Sequence, residues 1–236
     1  MSGGSLKGTA LVLFGRLART YERALDVATL LQDRRWKSWA VDHSGASGST
    51  RALDVGCGTL LLEERLLGSG ASFVGLDITR EMLTVAKSKR LPAVEGLFNG
   101  DAEALPFEDS SFDLVVSCYV AKYVDLARFV GELARVVKPG GRVVLYDFVR
   151  PRGAIAPVLR FYVHGILRGA GLLLGLAGSQ AAFTFKNLPR IVESASWDSD
   201  LEETARRVGL ETLSYERLTG GVVAAYAGVK LDAGLR

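Results

Sequence analysis

The segment RALDVGCGT, from Arg51 to Thr59, constrains the fold of this chain more than any other part of the sequence. A short apolar run typical of a buried strand leads into a glycine-rich turn, and a helix-forming stretch follows at 60–67. The next apolar run, SFVGLD, ends on a second acidic residue, Asp77. A strand, a glycine turn, a helix and a strand that ends in an acid form the part of an α/β fold that holds the ribose of a nucleoside cofactor.

The spacing of the glycines distinguishes between two classes of cofactor. A dinucleotide site carries a third glycine, where the helix packs closely on the strand, and here that position is Leu61. The segment GDAEALPF places a further acid, Asp101, just after the third predicted strand, where it can accept a hydrogen bond from an adenine amino group. Each glycine alone could simply make a turn, and each Asp could cap a helix. Together and in this order, the signals favour S-adenosylmethionine (SAM) over NAD.

Alternation of strands and helices predicts an α/β fold with a parallel sheet and helices on both faces. The run LVVS at 114–117 is apolar enough for a central strand that is buried on both sides. Near the end of the chain, the turn Thr219-Gly-Gly221 separates two strand-like segments and predicts an antiparallel pair. The predicted strands are 51–56, 72–77, 95–99, 112–118, 142–148, 211–218 and 222–230, and the predicted helices are 21–41, 60–67, 79–89, 125–137 and 201–208.

Composition limits the classes of protein that this chain can belong to. Of its 236 residues, 48% are hydrophobic and 23% are charged, which supports a sizeable core and argues against disorder. The net charge of +3 is too small to indicate a nucleic-acid partner by itself. The only two cysteines, Cys57 and Cys118, are too few for a disulfide framework or a zinc site, so we expect no metal and a cytoplasmic location. The first residues lack the pattern of a signal peptide.

The motifs LDVGCGT, GLDIT, GDAEALPF, SFDLVVS and VKPGG resemble those of the class I SAM-dependent methyltransferases, over about residues 50–148. The resemblance implies a Rossmann-like, seven-stranded, mostly parallel sheet with an antiparallel last strand. It also implies one domain over 1–236, with N-terminal helices at about 10–43 and a lid-like insertion at about 150–198. Leu60 stands where many members have glycine, which would narrow the methionine pocket.

The same resemblance implies the residues that bind SAM. The glycine turn would pass under the methionine part, Asp77 would hold the ribose, and Asp101 would lie at the adenine. The implied set is Asp54, Gly56, Cys57, Gly58, Thr59, Asp77, Ile78, Met82, Asp101, Ala102, Ser117 and Cys118.

The two ends of the chain are more specific. FGRLARTYE near the start, VLYDFVRP at strand five and LTGGVVAAYAGVK near the end are similar to segments of the ubiquinone/menaquinone biosynthesis C-methyltransferases (UbiE type). This resemblance implies methylation of a ring carbon on a prenylated quinol precursor. The family usually has an Arg-Asn pair where this chain has Lys122 and Tyr123. Two alternatives stay open: methylation of another apolar small molecule or lipid, and a SAM-binding subunit without catalysis.

The expected reaction suggests which side chains to look for. The sulfonium methyl is already a strong electrophile, so the enzyme must align it with a ring carbon that becomes nucleophilic when a neighbouring phenol loses its proton. A general base, or a cation that stabilises the phenolate, would help. The candidates are Tyr21, Lys122 and His164. Each also has a simpler interpretation, namely packing for Tyr21, a solvated helix start for Lys122, and a partly buried or interface position for His164.

The insertion is apolar from Ala154 to Leu176, and Arg160, His164 and Arg168 recur every four residues, which predicts one basic stripe on a helix. Its longest apolar stretch is far short of the roughly 20 residues that a bilayer span needs. The pattern predicts either peripheral contact with the inner face of a membrane or a lid or subunit-contact helix, which leaves a homodimer open. The expected partner is a lipophilic small molecule and not a nucleic acid, because no basic tract with interleaved aromatic residues stands out.

Overall fold

A computed structural model describes residues 3–152, 156–167, 169 and 195–232 of the chain. The seven strands of its sheet are β1 (Arg51–Val55), β2 (Ser72–Asp77), β3 (Val94–Asn99), β4 (Phe112–Cys118), β5 (Val137–Phe148), β6 (Leu210–Leu218) and β7 (Val223–Lys230). The α-helices are α1 (Gly3–Leu17), α2 (Tyr21–Thr29), α3 (Asp33–Ser44), α4 (Glu63–Leu66), α5 (Arg80–Ser88), α6 (Leu126–Val136), α7 (Ala156–Phe161) and α8 (Leu201–Arg207).

The strands lie in the order β3-β2-β1-β4-β5-β7-β6. The first five of these are parallel, and β7 runs antiparallel to both β5 and β6. The predicted seven-stranded sheet with an antiparallel last strand is therefore confirmed. The chain leaves β1 for β2 on one side and later returns to β4 on the other, so the carboxyl ends of β1 and β4 border the crevice in which such sheets bind ligands.

Two hydrophobic cores cover the two faces of the sheet, as the alternating pattern predicted. On one face, Leu53 and Val55 of β1 belong to the same buried cluster as Phe129 and Leu133 of α6. On the other face, the preceding Ala52 belongs to a cluster that contains the indoles of α3. Because side chains of a strand point alternately to opposite faces, one short strand contributes to both cores.

The prediction of a helix over 60–67 is wrong about where the helix begins. Residues 59–62 form turns, the α-helix begins only at Glu63, and a short 3₁₀ segment continues it to Ser69. Leu60 has a φ of 66°, in the left-handed region that L-residues rarely adopt. Its side chain is 1% exposed and packs in a cluster with Cys57 and Ala86. Leu60 therefore points into the core, and the expected narrowing of the methionine pocket does not occur.

The predicted helix over 21–41 is two helices. Leu30 and Leu31 both have a positive φ, of 49° and 65°, and separate α2 from α3. The basic run at 34–37 lies inside the first turns of α3. The N-terminal helices were predicted to start at about residue 10, but α1 begins at Gly3.

The insertion lies partly outside the described residues. α7 and one π-helical turn (Tyr162–Leu167) are described, whereas Arg168 and the side chains of Arg160 and His164 are not, so the predicted basic stripe lies outside what the structure describes. Within the described residues, no helix is both long and apolar enough to cross a membrane.

Candidate functional site

A cleft of about 650 Å³ opens at the carboxyl ends of β1, β2 and β4. Eight of the twelve residues predicted to bind the cofactor line it: Gly56, Gly58, Asp77, Ile78, Met82, Asp101, Ala102 and Cys118. We call this cleft the cofactor cavity.

Asp77 and the glycine turn form one hydrogen-bonded unit in this cavity. The N–H of Gly58 donates to Oδ2 of Asp77 at 2.9 Å, and the N–H of Thr79 donates to Oδ1 at 2.7 Å. Burial raises the pKa of Asp77, and these two N–H groups oppose the rise. Each carboxylate oxygen can accept a further hydrogen bond, and the residue lines the cavity. The chemistry of this position fits a ribose diol.

Asp101 lies at the other end of the cavity and is held by α1. The Nζ of Lys7 is 2.8 Å from Oδ2 of Asp101 and 3.0 Å from Oε1 of Glu103. The pKa of Asp101 is lowered, because the N–H of Glu103 and the Lys7 ammonium together outweigh its partial burial. The side chain of Asp101 is 41% exposed and stays ionised, so it can accept a hydrogen bond from an adenine amino group. Lys7 therefore ties the first helix across the cofactor cavity.

The other four predicted cofactor residues do not line the cavity. Thr59 donates to Oε1 of Glu22 on α2 at 2.9 Å, and Ser117 donates to the carbonyl of Val55 at 2.6 Å. Cys57 is buried in a small apolar cluster, and Asp54 is 3% exposed. Their direct contact with a cofactor stays a prediction. In the structure, Thr59 holds the glycine turn against α2, and Ser117 joins β4 to the end of β1 just before that turn.

Asp54 shares its buried site with a second acid that the sequence analysis missed. Glu63 of α4 is 1% exposed and lies beside Asp54, and neither of its carboxylate oxygens has a hydrogen-bond partner among the described residues. Burial raises the pKa of Asp54 to about 7, and burial together with the charge of Asp54 raises the pKa of Glu63 well above its usual range. Burial and the mutual repulsion of the two carboxylates thus favour the protonated form at this site, two residues before the glycine turn begins.

A second cavity, of about 520 Å³, adjoins the first. Its wall is largely apolar, with Leu13 and Leu17 from α1 and Leu25 and Ala28 from α2. Four aromatic residues line both cavities: Phe14, Tyr21, Tyr119 and Tyr123. We call the second space the acceptor cavity and these four residues the aromatic seam.

Lys122, a predicted catalytic residue, lines the acceptor cavity but is not a free cation. Its Nζ lies 2.5 Å from Oδ1 of Asp147 and donates to the carbonyl of Tyr119 at 2.9 Å. The side chains of Lys122 and Asp147 are 3% and 0% exposed. Burial lowers the pKa of Lys122 and raises the pKa of Asp147, and in each case the partner's charge opposes the change. The two charges therefore neutralise each other inside the protein.

Tyr21, the second catalytic candidate, lines both cavities from α2. Burial, and then the charge of Asp33, raise the pKa of its phenol well above the usual range. His164, the third candidate, lies in the π-helical turn, and its side chain lies outside the described residues. Its role stays a prediction.

Several residues of the site were not predicted from the sequence. Tyr119 has a φ of 66° at the end of β4, and its hydroxyl donates to Oδ1 of Asp33 at 2.6 Å. Asp33 also pairs with Lys37, one turn further along α3. An Asp and a Lys four residues apart could have indicated this ion pair, but nothing local indicated that it is buried beside Tyr119.

Comparison with known proteins agrees with this geometry. A sequence profile of the ubiE/COQ5 methyltransferase family matches residues 7–230. A demethylmenaquinone methyltransferase of Thermus thermophilus is 34% identical over 224 residues, which cover 92% of this chain and 99% of that protein. A demethylmenaquinone methyltransferase of Tropheryma whipplei is 32% identical over 222 residues and covers 92% of this chain and 90% of that protein.

Solved structures share the fold at low sequence identity. A SAM-dependent methyltransferase from Aquifex aeolicus superposes with a TM-score of 0.58 at 16% identity, covering 83% of this chain and 89% of that chain. Phosphoethanolamine N-methyltransferase 2 of Haemonchus contortus, in complex with SAM, superposes with a TM-score of 0.57 at 19% identity, covering 83% of this chain and 52% of that chain.

Proposed function

Because the chain belongs to the ubiE/COQ5 methyltransferase family, we propose that it transfers the methyl group of SAM to a ring carbon of a prenylated quinol of the demethylmenaquinone type. The observation that carries the proposal is the acceptor cavity, whose apolar wall meets the cofactor cavity at the aromatic seam. An aromatic ring at the seam would face the cofactor, and an isoprenoid tail would lie along the leucines of α1 and α2. The names of the similar curated proteins support the same class of acceptor.

As a member of this family the chain is a SAM-dependent methyltransferase, and the cofactor cavity offers suitable groups at both of its ends. We propose that Asp77 accepts from the ribose hydroxyls and Asp101 from the adenine amino group, while the turn at Gly56 and Gly58 lies against the methionine part. Gly58 has a left-handed φ of 54°, which favours glycine. Because glycine has no side chain, this part of the cavity stays open.

Bound SAM would supply a sulfonium-activated methyl group to an electron-rich ring carbon; the sulfur would keep the electron pair of the broken bond, and the ring would lose the proton of that carbon to restore its aromaticity. The chain itself must align the ring and exclude water. The seam residues Phe14 and Tyr123 form an edge-to-face pair with ring centroids 5.8 Å apart, which gives the acceptor ring a rigid aromatic wall. Among the described residues of the acceptor cavity, Lys122 is the one ionisable group besides the phenols, and its charge is neutralised by Asp147. The main contribution of the chain is therefore alignment in a largely apolar cavity.

The proposal is tested by transfer of a labelled methyl group from SAM to reduced demethylmenaquinone, in parallel with a ubiquinone-precursor analogue of equal tail length. We expect methylated product from reduced demethylmenaquinone, whose ring is a naphthalene. A second naphthalenediol without a prenyl tail serves as the control for the acceptor cavity, and we expect its KM to be higher. Absence of product from reduced demethylmenaquinone would reject the proposed acceptor class.

The outer surface of α2 supports peripheral contact with a membrane, from which a prenylated acceptor would enter. Leu30 and Leu31 are 63% and 51% exposed, and both occupy the left-handed conformation. Val27 beside them is 61% exposed, and Phe161 of α7 is 70% exposed. The Tyr162 hydroxyl donates to the carbonyl of Val27 at 3.3 Å, which brings α7 next to α2. Exposed apolar side chains clustered beside an apolar cavity support a surface that meets lipid.

Flotation with liposomes tests this contact. We expect the wild type to float and the variant Leu30→Asn/Leu31→Asn to remain in the lower fraction. Asn suits the comparison because it tolerates the left-handed conformation. The variant Leu213→Asn is the matched control, because this leucine is 52% exposed on β6, away from the acceptor cavity. Equal flotation of all three proteins, or of none, would reject the contact.

A further inference from the structure

Most polar groups around the acceptor cavity are already used within the protein. The hydroxyl of Tyr119 donates to Asp33, and the ammonium of Lys122 is bonded to Asp147 and to a backbone carbonyl. Within the part of the chain that the structure describes, the hydroxyls of Tyr21 and Tyr123 have no hydrogen-bond partner. These two phenols are therefore the polar side-chain groups of the cavity that remain available to a ligand.

The two phenols pack against the same ring, that of Phe14, and belong to different elements of the fold. The ring of Phe14 packs edge-to-face on Tyr21, with centroids 5.9 Å apart, and on Tyr123, with centroids 5.8 Å apart. Tyr21 opens α2, whereas Tyr123 ends the 3₁₀ turn after β4. This turn is fixed because Asp147 accepts from the backbone N–H of Lys122 at 3.1 Å. The spacing between the two hydroxyls is therefore set by packing rather than by the ligand.

Both groups are suited to donate a hydrogen bond rather than to remove a proton. Burial raises the pKa of Tyr123, with a further contribution from the charge of Asp147, and burial also raises the pKa of Tyr21. Each phenol keeps its proton throughout the physiological pH range. A ring oxygen that becomes more negative as its carbon attacks a methyl group is a strong acceptor for such a donor.

We infer that Tyr21 and Tyr123 donate hydrogen bonds to the two ring oxygens of a 1,4-dihydroxy aromatic acceptor, and that this two-point contact selects the acceptor and fixes which ring carbon faces the cofactor. The inference rests on the proposed function. An apolar wall alone would bind the tail and the ring but would not distinguish a diol from a hydrocarbon of the same shape.

Equilibrium binding tests the inference with two ligands of the same shape, 2-prenyl-1,4-naphthalenediol and 2-prenylnaphthalene. Binding is measured under anaerobic, reducing conditions with S-adenosylhomocysteine present. We expect the wild type to prefer the diol, and Tyr123→Phe and Tyr21→Phe each to reduce that preference by roughly 3- to 10-fold, the value of one hydrogen bond. Binding of the hydrocarbon and of S-adenosylhomocysteine should be unchanged, because the ring remains. Tyr226→Phe on β7 is the matched control, since its hydroxyl is buried far from both cavities, and it should keep the full preference.

Two results would overturn the inference while leaving the proposed function intact. In one, Tyr123→Phe keeps the full preference for the diol. In the other, it weakens binding of both ligands equally, which would mean that Tyr123 acts through packing. A wild-type protein that does not prefer the diol would reject the proposed acceptor class and the inference together, and this failure is recognisable because it appears without any substitution.

Discussion

Removing the positive charge of Lys122 should destabilise the protein severely, and the structure indicates by how much. In Lys122→Met, the carboxylate of Asp147 keeps two backbone N–H donors, from residue 122 at 3.1 Å and from Phe148 at 2.6 Å, but loses its counter-ion. Its side chain is 0% exposed, so water cannot replace the ammonium. Breaking a buried pair in this way costs about 3–5 kcal/mol. For a chain of this length, that corresponds to a fall in Tm of roughly 6–20 °C.

The double variant Lys122→Met/Asp147→Asn separates the effect of charge from the effect of packing. Asn keeps an oxygen that can accept from the same backbone N–H groups, and no charge is left buried. We expect its free energy of unfolding to lie within about 2 kcal/mol of the wild type, and therefore above that of the single variant. Urea unfolding followed by circular dichroism measures both. A single variant that loses less than about 1 kcal/mol, or a double variant less stable than the single one, would refute the reasoning.

The same pair of variants decides whether Lys122 acts on the reaction. If its charge stabilises the phenolate, as the sequence suggested, the stable double variant will lose kcat. If its role is to hold the turn that carries Tyr123, the double variant will keep kcat within about 10-fold of the wild type. We expect the second outcome, because the ammonium is already bonded to Asp147 and to the carbonyl of Tyr119.

Two further predictions concern the cofactor cavity. The pKa of Asp54 is raised to about 7 and that of Glu63 is also raised, so the folded state binds more protons than the unfolded state. The free energy of unfolding should therefore fall as pH rises from about 4 through 7. The fall is up to about 1.4 kcal/mol per pH unit for each proton. Glu63→Gln should flatten this slope in urea titrations at several pH values, and an unchanged slope would contradict the assignment. Lys7→Met should release α1 from Asp101 and cost less than about 1 kcal/mol of stability. In a competition experiment, SAM should dissociate from this variant roughly 2- to 5-fold faster than from the wild type. An unchanged dissociation rate would mean that α1 does not close the cavity.

The elements of the sheet could be predicted because each strand carries its own local pattern. The apolar runs that end at Asp77 and Cys118 are strands within one or two residues of their predicted bounds. The glycine turn and the acid that ends β2 also lie together, as the motif implied. Errors occurred where one residue departs from the usual backbone: the left-handed Leu60 delays α4, and the left-handed Leu30 ends α2. No periodicity of apolar residues reveals a positive φ at a leucine.

The sequence by itself determined the order of the strands and helices, the glycine turn with its acid at Asp77, and the family, because these depend on residues close together in the chain. Only the tertiary structure decided what the acceptor side looks like. Lys122 and Asp147 are 25 residues apart, and the seam joins Phe14 to Tyr123, so no local pattern could show that the cation is neutralised or that two phenols remain free. Burial decides the outcome, because a charge that would be solvated on a surface must find its counter-ion once the sheet and the first helices enclose it.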